Sequence, residues 1–450
     1  MSGLLGAYSL DNQDVTDVLY GGLVAIQHRG EAAAGAAIAK NKIITHSGKG
    51  WASTVLKDQL KFFHEISPYA ANGHLLYSPA DPVQPIEMRG KKYDISFSMD
   101  GTIINYDNGK VGELFLRHLE NTDDIYKSGE RFMETLHGYG SYCINALIKE
   151  GNDLKLVVLR DPQGIKPLCL GKKDETYIIA SETCALDKVD AKFSRDIIPG
   201  EMLVISKDGL NSKVLRKEKH GHCMFDFTYF CSRRSKIEGV SVHGVRAELG
   251  RLLARMYPLD IDVGGPSPDS GRGICANFLR ELSRIKGKLV PYEEYAEKIP
   301  GSPRTFQIED PEERKFFTRQ KFGIIYELVE GKDVGLTEDS IVRGGVIKDG
   351  LVVDLKKAAK KVVVIVSCPP LPFGCIGNFK DTRAAHGLYG KPVEEINRIV
   401  AKRIGADKVC YSTIGMLKEA IGLDDVCMGC ANGKYPIKRE LLPEGLTSTL

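Results

Sequence analysis

The stretch V-G-L-T-E-D-S-I-V-R-G-G-V, Val334 to Val346, constrains the chain more than any other. An apolar run that ends in two adjacent acids and a glycine-closed loop fits a strand whose C-terminal end opens onto backbone N–H groups at the head of a helix. Glu338 and Asp339 can accept hydrogen bonds from two vicinal hydroxyls, while the amides of Ser340 to Gly345, with Arg343 and Gly344 in the turn, can wrap a phosphate. Acids beside amides in this order point to a sugar-phosphate ligand.

A chain of 450 residues is too long for one ordinary core and implies two or three domains. Lys+Arg 62 against Asp+Glu 59 leaves a net charge of +3, with no basic run or aromatic-basic stripe, so nucleic acid is not expected as a partner. The apolar run at Val362–Val366 is far short of the roughly 20 residues a membrane span needs. The start M-S-G-L-L-G-A-Y has no cationic head or cleavage site, and the expected location is the cytoplasm. Eleven cysteines, an odd number spread irregularly, do not make a disulfide framework. Cys143, Cys169, Cys184, Cys231, Cys275, Cys368 and Cys410 sit in apolar or mixed surroundings and read as small buried hydrophobes.

From Gly3 to Ser206, short alternating segments at Ile43–Ser47, His74–Tyr77, Tyr93–Ser98, Leu154–Leu159, Tyr177–Ala180 and Glu201–Ile205 predict antiparallel strands. Asp14–His28, Gly112–Leu119 and Glu130–Leu136 have helical periodicity, and L-V-A-I-Q-H-R-G-E-A-A-A-G (Leu23–Gly35) reads as His, Arg and Gly packed against an alanine-rich helix tail. The result is a layered α/β sandwich. A basic spacer, Lys213 to His222, separates it from a second half in which strand and helix alternate, as in a mostly parallel, doubly wound sheet. The expected domains are 1–222 and 223–450.

The central motif resembles the phosphoribosyl-pyrophosphate motif of type I phosphoribosyltransferases, most closely that of the amidophosphoribosyltransferases. The first half is similar to that family's N-terminal domain at Leu23–Gly35, R-D-P-Q-G-I-K-P-L (Arg160–Leu168), A-S-E-T-C-A-L-D (Ala180–Asp187) and I-P-G-E (Ile198–Glu201), in order. The resemblance covers almost the whole chain. It implies a class II glutamine amidotransferase domain of the N-terminal-nucleophile hydrolase fold, joined to a type I phosphoribosyltransferase domain. It also implies Mg²⁺ with a phosphoribosyl ligand, Asp269 and Ser270 in a P-D-S loop, Arg304, Thr305 and Phe306 at the end of a catalytic loop, and a homo-oligomer.

Several positions depart from the family. Ser2 stands where the family has its nucleophilic cysteine. Leu76 replaces the arginine that grips the glutamine carboxylate, and Asp100, before Gly101, replaces the asparagine that completes the oxyanion hole. Losing such a donor costs about 3–4 kcal/mol, and a lone carboxylate ~4 Å from an oxyanion adds roughly 4 kcal/mol of repulsion at an effective dielectric of 20. Glutaminase chemistry is therefore not expected. On the phosphoribosyl side two threonines become Gly345 and Val346, and the K-N-R-Y of the closing lid reads Lys298-Ile299-Pro300-Gly301. His28 and His74 read as core-facing structural groups, and His220, His222 and His243 as solvated or capping.

Cys223, Cys375, Cys427 and Cys430 fall where a subset of the family carries ligands for a [4Fe–4S] cluster, with a structural Zn(Cys)₄ site as the rival. Two functions follow. One is a non-glutaminase homologue, a pseudoenzyme in its first domain, that binds phosphoribosyl pyrophosphate or a nucleotide in a regulatory or structural role, with a protein partner. The other is a phosphoribosyltransferase of purine biosynthesis fed by free ammonia or a partner's amine. Oxygen or redox sensing through the cluster is a minor third.

Overall fold

The computed structural model describes residues 2–104, 106–138, 140–300, 310–375, 382–437 and 440. Strand Gly3–Ser9, apolar or small throughout and wholly buried, lies inside a seven-stranded antiparallel sheet between Ala70–Leu76 and Thr176–Ala180. A second antiparallel sheet of six strands includes Asp94–Ile103, Gly140–Glu150 and Asp153–Arg160. Leu4 and Tyr8 of the first sheet meet Cys143, Leu147, Val158 and Leu203 of the second between the layers. Helices Thr16–Ala25 and Thr183–Lys188 cover one outer face, and Val111–Glu120 and Ile125–Thr135 the other. The predicted strands all form.

One expectation fails. The alanine-rich tail is not helical: Ala33–Ala39 is a fully buried strand between Ile43–Lys49 and Ala70–Leu76. Alanine favours helix by only a few tenths of a kcal/mol per residue, and burial overrides it. Small side chains are required here, because a Cβ at Gly35 would lie 2.2 Å from the Gln84 carbonyl oxygen. The glycine of I-P-G-E is fixed in the same way: Gly200 has φ +77° and a Cβ there would lie 1.8 Å from the Arg216 carbonyl oxygen.

The second half is built on a parallel sheet ordered Val263–Pro266, Asp333–Glu338, Lys361–Val366, Lys408–Tyr411. Its near-continuous Val/Ile runs are those of strands buried on both faces. Helices Val242–Met256 and Arg272–Lys286 pack on one face, and the segments 346–355 and Val393–Ile404 on the other. We propose the domain boundary between residues 222 and 223. The last sandwich strand ends at Val214, and His222–Cys223 pairs in parallel with Val426–Cys427. Phe225, Phe227, Phe230, Leu371, Leu417 and Met428 form the apolar junction beside that pairing.

Candidate functional sites

The first site forms where the two antiparallel sheets bring the chain start to strand Asp94–Ile103. Ser2 is buried, and all three of its polar groups are engaged. Its N–H donates to Asp100 Oδ1 at 2.7 Å, its carbonyl accepts from Arg29 Nε at 2.9 Å, and its hydroxyl accepts from the Tyr77 N–H at 3.4 Å. Asp100 was expected to face an oxyanion as an uncompensated charge, and the structure corrects this. Arg29 lies 3.2 Å from one carboxylate oxygen and Lys166 3.5 Å from the other. Burial alone would raise the Asp100 pKa, but Lys166, the chain terminus, Arg29 and the Ser2 N–H hold it well below the usual carboxylate range. Gly101 has no room for a side chain, since a Cβ would lie 2.4 Å from the Ser141 carbonyl oxygen. Leu76 is core.

Arg29 is the hub of this site. Its guanidinium also reaches Glu182 at 3.0 Å, Cys231 Sγ at 3.4 Å and Asp226 at 3.6 Å. Glu182 in turn accepts from His28 at 2.7 Å, from the Ser232 N–H at 2.8 Å and from Ser235 Oγ at 2.7 Å. Asp226, Cys231, Ser232 and Ser235 come from beyond the proposed boundary, so the network ties the two halves together. Sequence reading placed Arg29, Lys166 and Glu182 inside motifs but did not pair them, because the pairing requires contacts across 71 positions from Arg29 to Asp100 and 153 from Arg29 to Glu182. His28 is half-buried on Glu182, not a core group, whereas His74 is fully buried with Nε2 3.2 Å from the Met99 carbonyl oxygen.

The second site lies at the C-terminal end of Asp333–Glu338. Glu338 and Asp339 are buried, at 6% and 3% exposure. They were expected to stand open to ribose hydroxyls, but serine hydroxyls occupy that role: Ser340 Oγ donates to Asp339 Oδ1 at 2.6 Å and Ser270 Oγ donates to Oδ2. A ribose must displace them. Burial, then the neighbouring Asp339 charge, raises the Glu338 pKa far above the usual carboxylate range, a shift that favours a shared proton on the pair. Among the described residues, the N–H groups of Ser340, Ile341, Val342 and Gly344 meet no acceptor, as a phosphate cradle requires. Gly344 has φ +84°, which only glycine adopts readily. Gly345 has ordinary helical angles, φ −61° and ψ −46°, so nothing in the backbone calls for glycine there.

Asp269 is exposed and pairs with Arg272 at 3.0 Å, while Arg343 is half-buried in the loop. Arg304, Thr305 and Phe306 lie outside the described residues. Arg246 was missed by sequence reading. It donates to the carbonyl oxygens of Phe227, Tyr229 and Cys231 at 2.9, 3.0 and 2.8 Å and carries its charge toward Asp339. A separate cavity of about 330 Å³, lined by Pro369, Pro370, Tyr389, Ile396 and Ile414 among others, contains none of the predicted residues.

The four cysteines approach one another from three segments. Cys223 is the register partner of Cys427, and the Phe373 N–H, two residues before Cys375, donates to the Cys430 carbonyl at 3.2 Å. The Cys430 thiol is raised by burial and then by Cys375, Cys368, Cys223 and Cys427, and burial pushes Cys427 up to about 12. Among the described residues no three His, Cys, Asp or Glu side chains are close enough to hold a single metal ion. The seven other cysteines are buried.

A layered amidotransferase-type sandwich joined to a parallel sheet bearing an acid-and-amide ribose-phosphate loop defines a glutamine amidotransferase–phosphoribosyltransferase architecture. No protein-family model matches the chain. It is 31% identical over 480 residues to the amidophosphoribosyltransferase of Methanocaldococcus jannaschii, covering 97% of this chain and 98% of that one. To the enzyme of that name from Pyrococcus horikoshii it is 32% identical over 457 residues, covering 96% of each. The structure of the Bacillus subtilis glutamine phosphoribosylpyrophosphate amidotransferase, complexed with ADP and GMP, superimposes with a TM-score of 0.80 at 26% identity, covering 98% of both chains. The chain belongs to the amidophosphoribosyltransferase family.

Proposed function

We propose that this family member has lost glutamine hydrolysis and binds a phosphoribosyl compound or nucleotide at Glu338–Gly344, in a regulatory or structural role. The observation that carries the first half is the 2.7 Å contact between the Ser2 nitrogen and Asp100 Oδ1. An N-terminal nucleophile needs its own amine neutral, to take the hydroxyl proton. In this structure the Ser2 nitrogen is a peptide amide, and once freed by removal of Met1 an amine at this distance from Asp100 would be held as ammonium, while Asp100 is held too acidic to serve as base itself. The asparagine donor to an oxyanion is gone as well. The test is glutamate release from glutamine. None above background is expected, and release that scales with protein and vanishes in Ser2→Ala would overturn the reading.

The acid pair and the amide cradle support phosphoribosyl binding, in which Glu338 and Asp339, once ionised, would face the ribose of a ligand carrying Mg²⁺. These intact groups also favour a second reading, an ammonia-dependent phosphoribosyltransferase. Pyrophosphate release with Mg²⁺, phosphoribosyl pyrophosphate and ammonium separates the two. Cys223, Cys375, Cys427 and Cys430 are read as the ligands of a [4Fe–4S] cluster, with Zn(Cys)₄ as the rival. The influence of Cys375, Cys223 and Cys427 on the Cys430 thiol supports their coming together from three segments. A bound cluster would draw off the thiol protons and pin the C-terminal segment to the domain junction.

A further inference from the structure

We propose that the second site accepts 2-deoxypentose 5-phosphates nearly as well as ribose 5-phosphates, because each oxygen of Asp339 carries its own serine hydroxyl, which stands in for a missing sugar hydroxyl. The inference rests on the phosphoribosyl-binding reading and widens its ligand class. Ser340 Oγ donates to Asp339 Oδ1 at 2.6 Å, and Ser270 Oγ donates to Oδ2. The Ser267 side chain bonds the neighbouring Glu338. The backbone fixes both sides of these contacts. The Ser267 N–H donates to the Thr337 carbonyl at 2.8 Å, and a Cβ at Gly271 would lie 2.5 Å from that same oxygen, so the loop 267–271 is packed against the end of the strand that bears the acids. Asp339 is equally fixed, its carbonyl accepting from the Cys368 N–H at 2.8 Å and from Ser367 Oγ at 3.1 Å. Ser270 is 69 positions from Asp339 in sequence, so its hydroxyl spans the two loops, whereas that of Ser340 is local. The consequence is one of exchange. A buried carboxylate oxygen left without a donor costs far more than one whose donor is swapped for another. At bare acids a sugar lacking one hydroxyl leaves an oxygen unpaired, and sites of that kind discriminate steeply. Here a ribose hydroxyl only replaces a serine hydroxyl of the same chemistry, and a sugar without it leaves the serine where it is. Ser270 thus competes with the ligand for Asp339 instead of adding a contact to it.

The test is calorimetric titration of the full chain with ribose 5-phosphate and with 2-deoxyribose 5-phosphate, each with Mg²⁺. In the wild type the two affinities should differ by less than about tenfold, below the worth of one hydrogen bond to a charged group. In the double variant Ser270→Ala/Ser340→Ala, where Asp339 has no stand-in, that ratio should rise by about tenfold. Ribose 5-phosphate should also bind the double variant about tenfold more tightly than the wild type, because its competitors are gone, the opposite of what loss of a ligand contact produces. Ser270→Thr, which keeps the hydroxyl, should match the wild type. Should the double variant fail to fold, the wild-type ratio decides. A wild-type ratio of about tenfold or more, an unchanged ratio in the double variant, or weaker binding of ribose 5-phosphate by it would overturn the proposal. If ribose 5-phosphate binds neither protein, the phosphoribosyl reading itself fails, whereas binding with steep discrimination in the wild type sinks only this inference.

Discussion

Arg29→Met removes the hub of the buried network while keeping most of the side chain's volume. The guanidinium donates to the Ser2 carbonyl at 2.9 Å, Glu182 at 3.0 Å and Asp100 at 3.2 Å, and lies 3.6 Å from Asp226. Methionine replaces none of these, leaving Asp100 with Lys166 and the chain terminus, Asp226 with Lys166, and Glu182 with His28 and its serine donors. Breaking a buried pair by deleting one partner costs about 3–5 kcal/mol. For a unit of this domain's size each kcal/mol moves the melting temperature by roughly 2–4 °C, so the first calorimetric transition should fall by roughly 6–20 °C. Glu182→Gln should be less harmful in the Arg29→Met background than in the wild type, because the charge it removes has already lost its guanidinium partner there and keeps only His28 and the serine donors, a coupling of at least about 1 kcal/mol. Melting of the wild type, both single variants and the double variant measures this. A loss below about 1 kcal/mol for Arg29→Met, or strict additivity, would refute the network as the fastening between the halves.

His74 is held neutral, its pKa lowered to about 4 chiefly by burial. Between about pH 6.5 and 4 the unfolded chain binds the extra proton, so stability is fully present above 6.5 and falls as pH drops, by up to about 3 kcal/mol. His74→Gln should flatten the slope of stability against pH in that window. Gly345→Thr restores a phosphate-facing hydroxyl where a Cβ meets nothing nearer than Asp349 at 3.9 Å. Titration with ribose 5-phosphate should show affinity rising by about tenfold or more, the worth of one hydrogen bond to a charged group. Gly200→Ala combines a positive φ with a Cβ 1.8 Å from a carbonyl oxygen and should cost about 2–4 kcal/mol in denaturant melts. Anaerobically purified protein should carry about four iron and four sulfide per chain. Stoichiometric zinc would contradict the cluster.

The period-2 segments of the first half were legible because each strand is short, apolar and bounded by turns. The acidic pair was legible because its spacing from the glycine loop is fixed by backbone geometry. Ala33–Ala39 misled because its composition is that of a helix, while its small side chains serve close packing beneath Gln84 and Pro85. Asp100 misled for a different reason. Its identity showed that a donor was lost, but its charge state depends on Arg29 and Lys166, remote in sequence and in contact only once both sheets have formed. Likewise Ser340 was read as an amide of the phosphate loop and Ser270 as part of the P-D-S loop, and the bonds of both hydroxyls to Asp339 follow from where the parallel strands end.

The central claim, a phosphoribosyl site retained beside a silent amidotransferase domain, is tested most directly by calorimetric titration of wild type and Asp339→Asn with phosphoribosyl pyrophosphate and Mg²⁺. Wild type should bind saturably and release a proton as the ligand takes the acid pair, so that the measured heat varies with the buffer's ionisation enthalpy. Asp339→Asn should show no binding. Identical titrations of the two proteins, or no heat from either, would contradict the account.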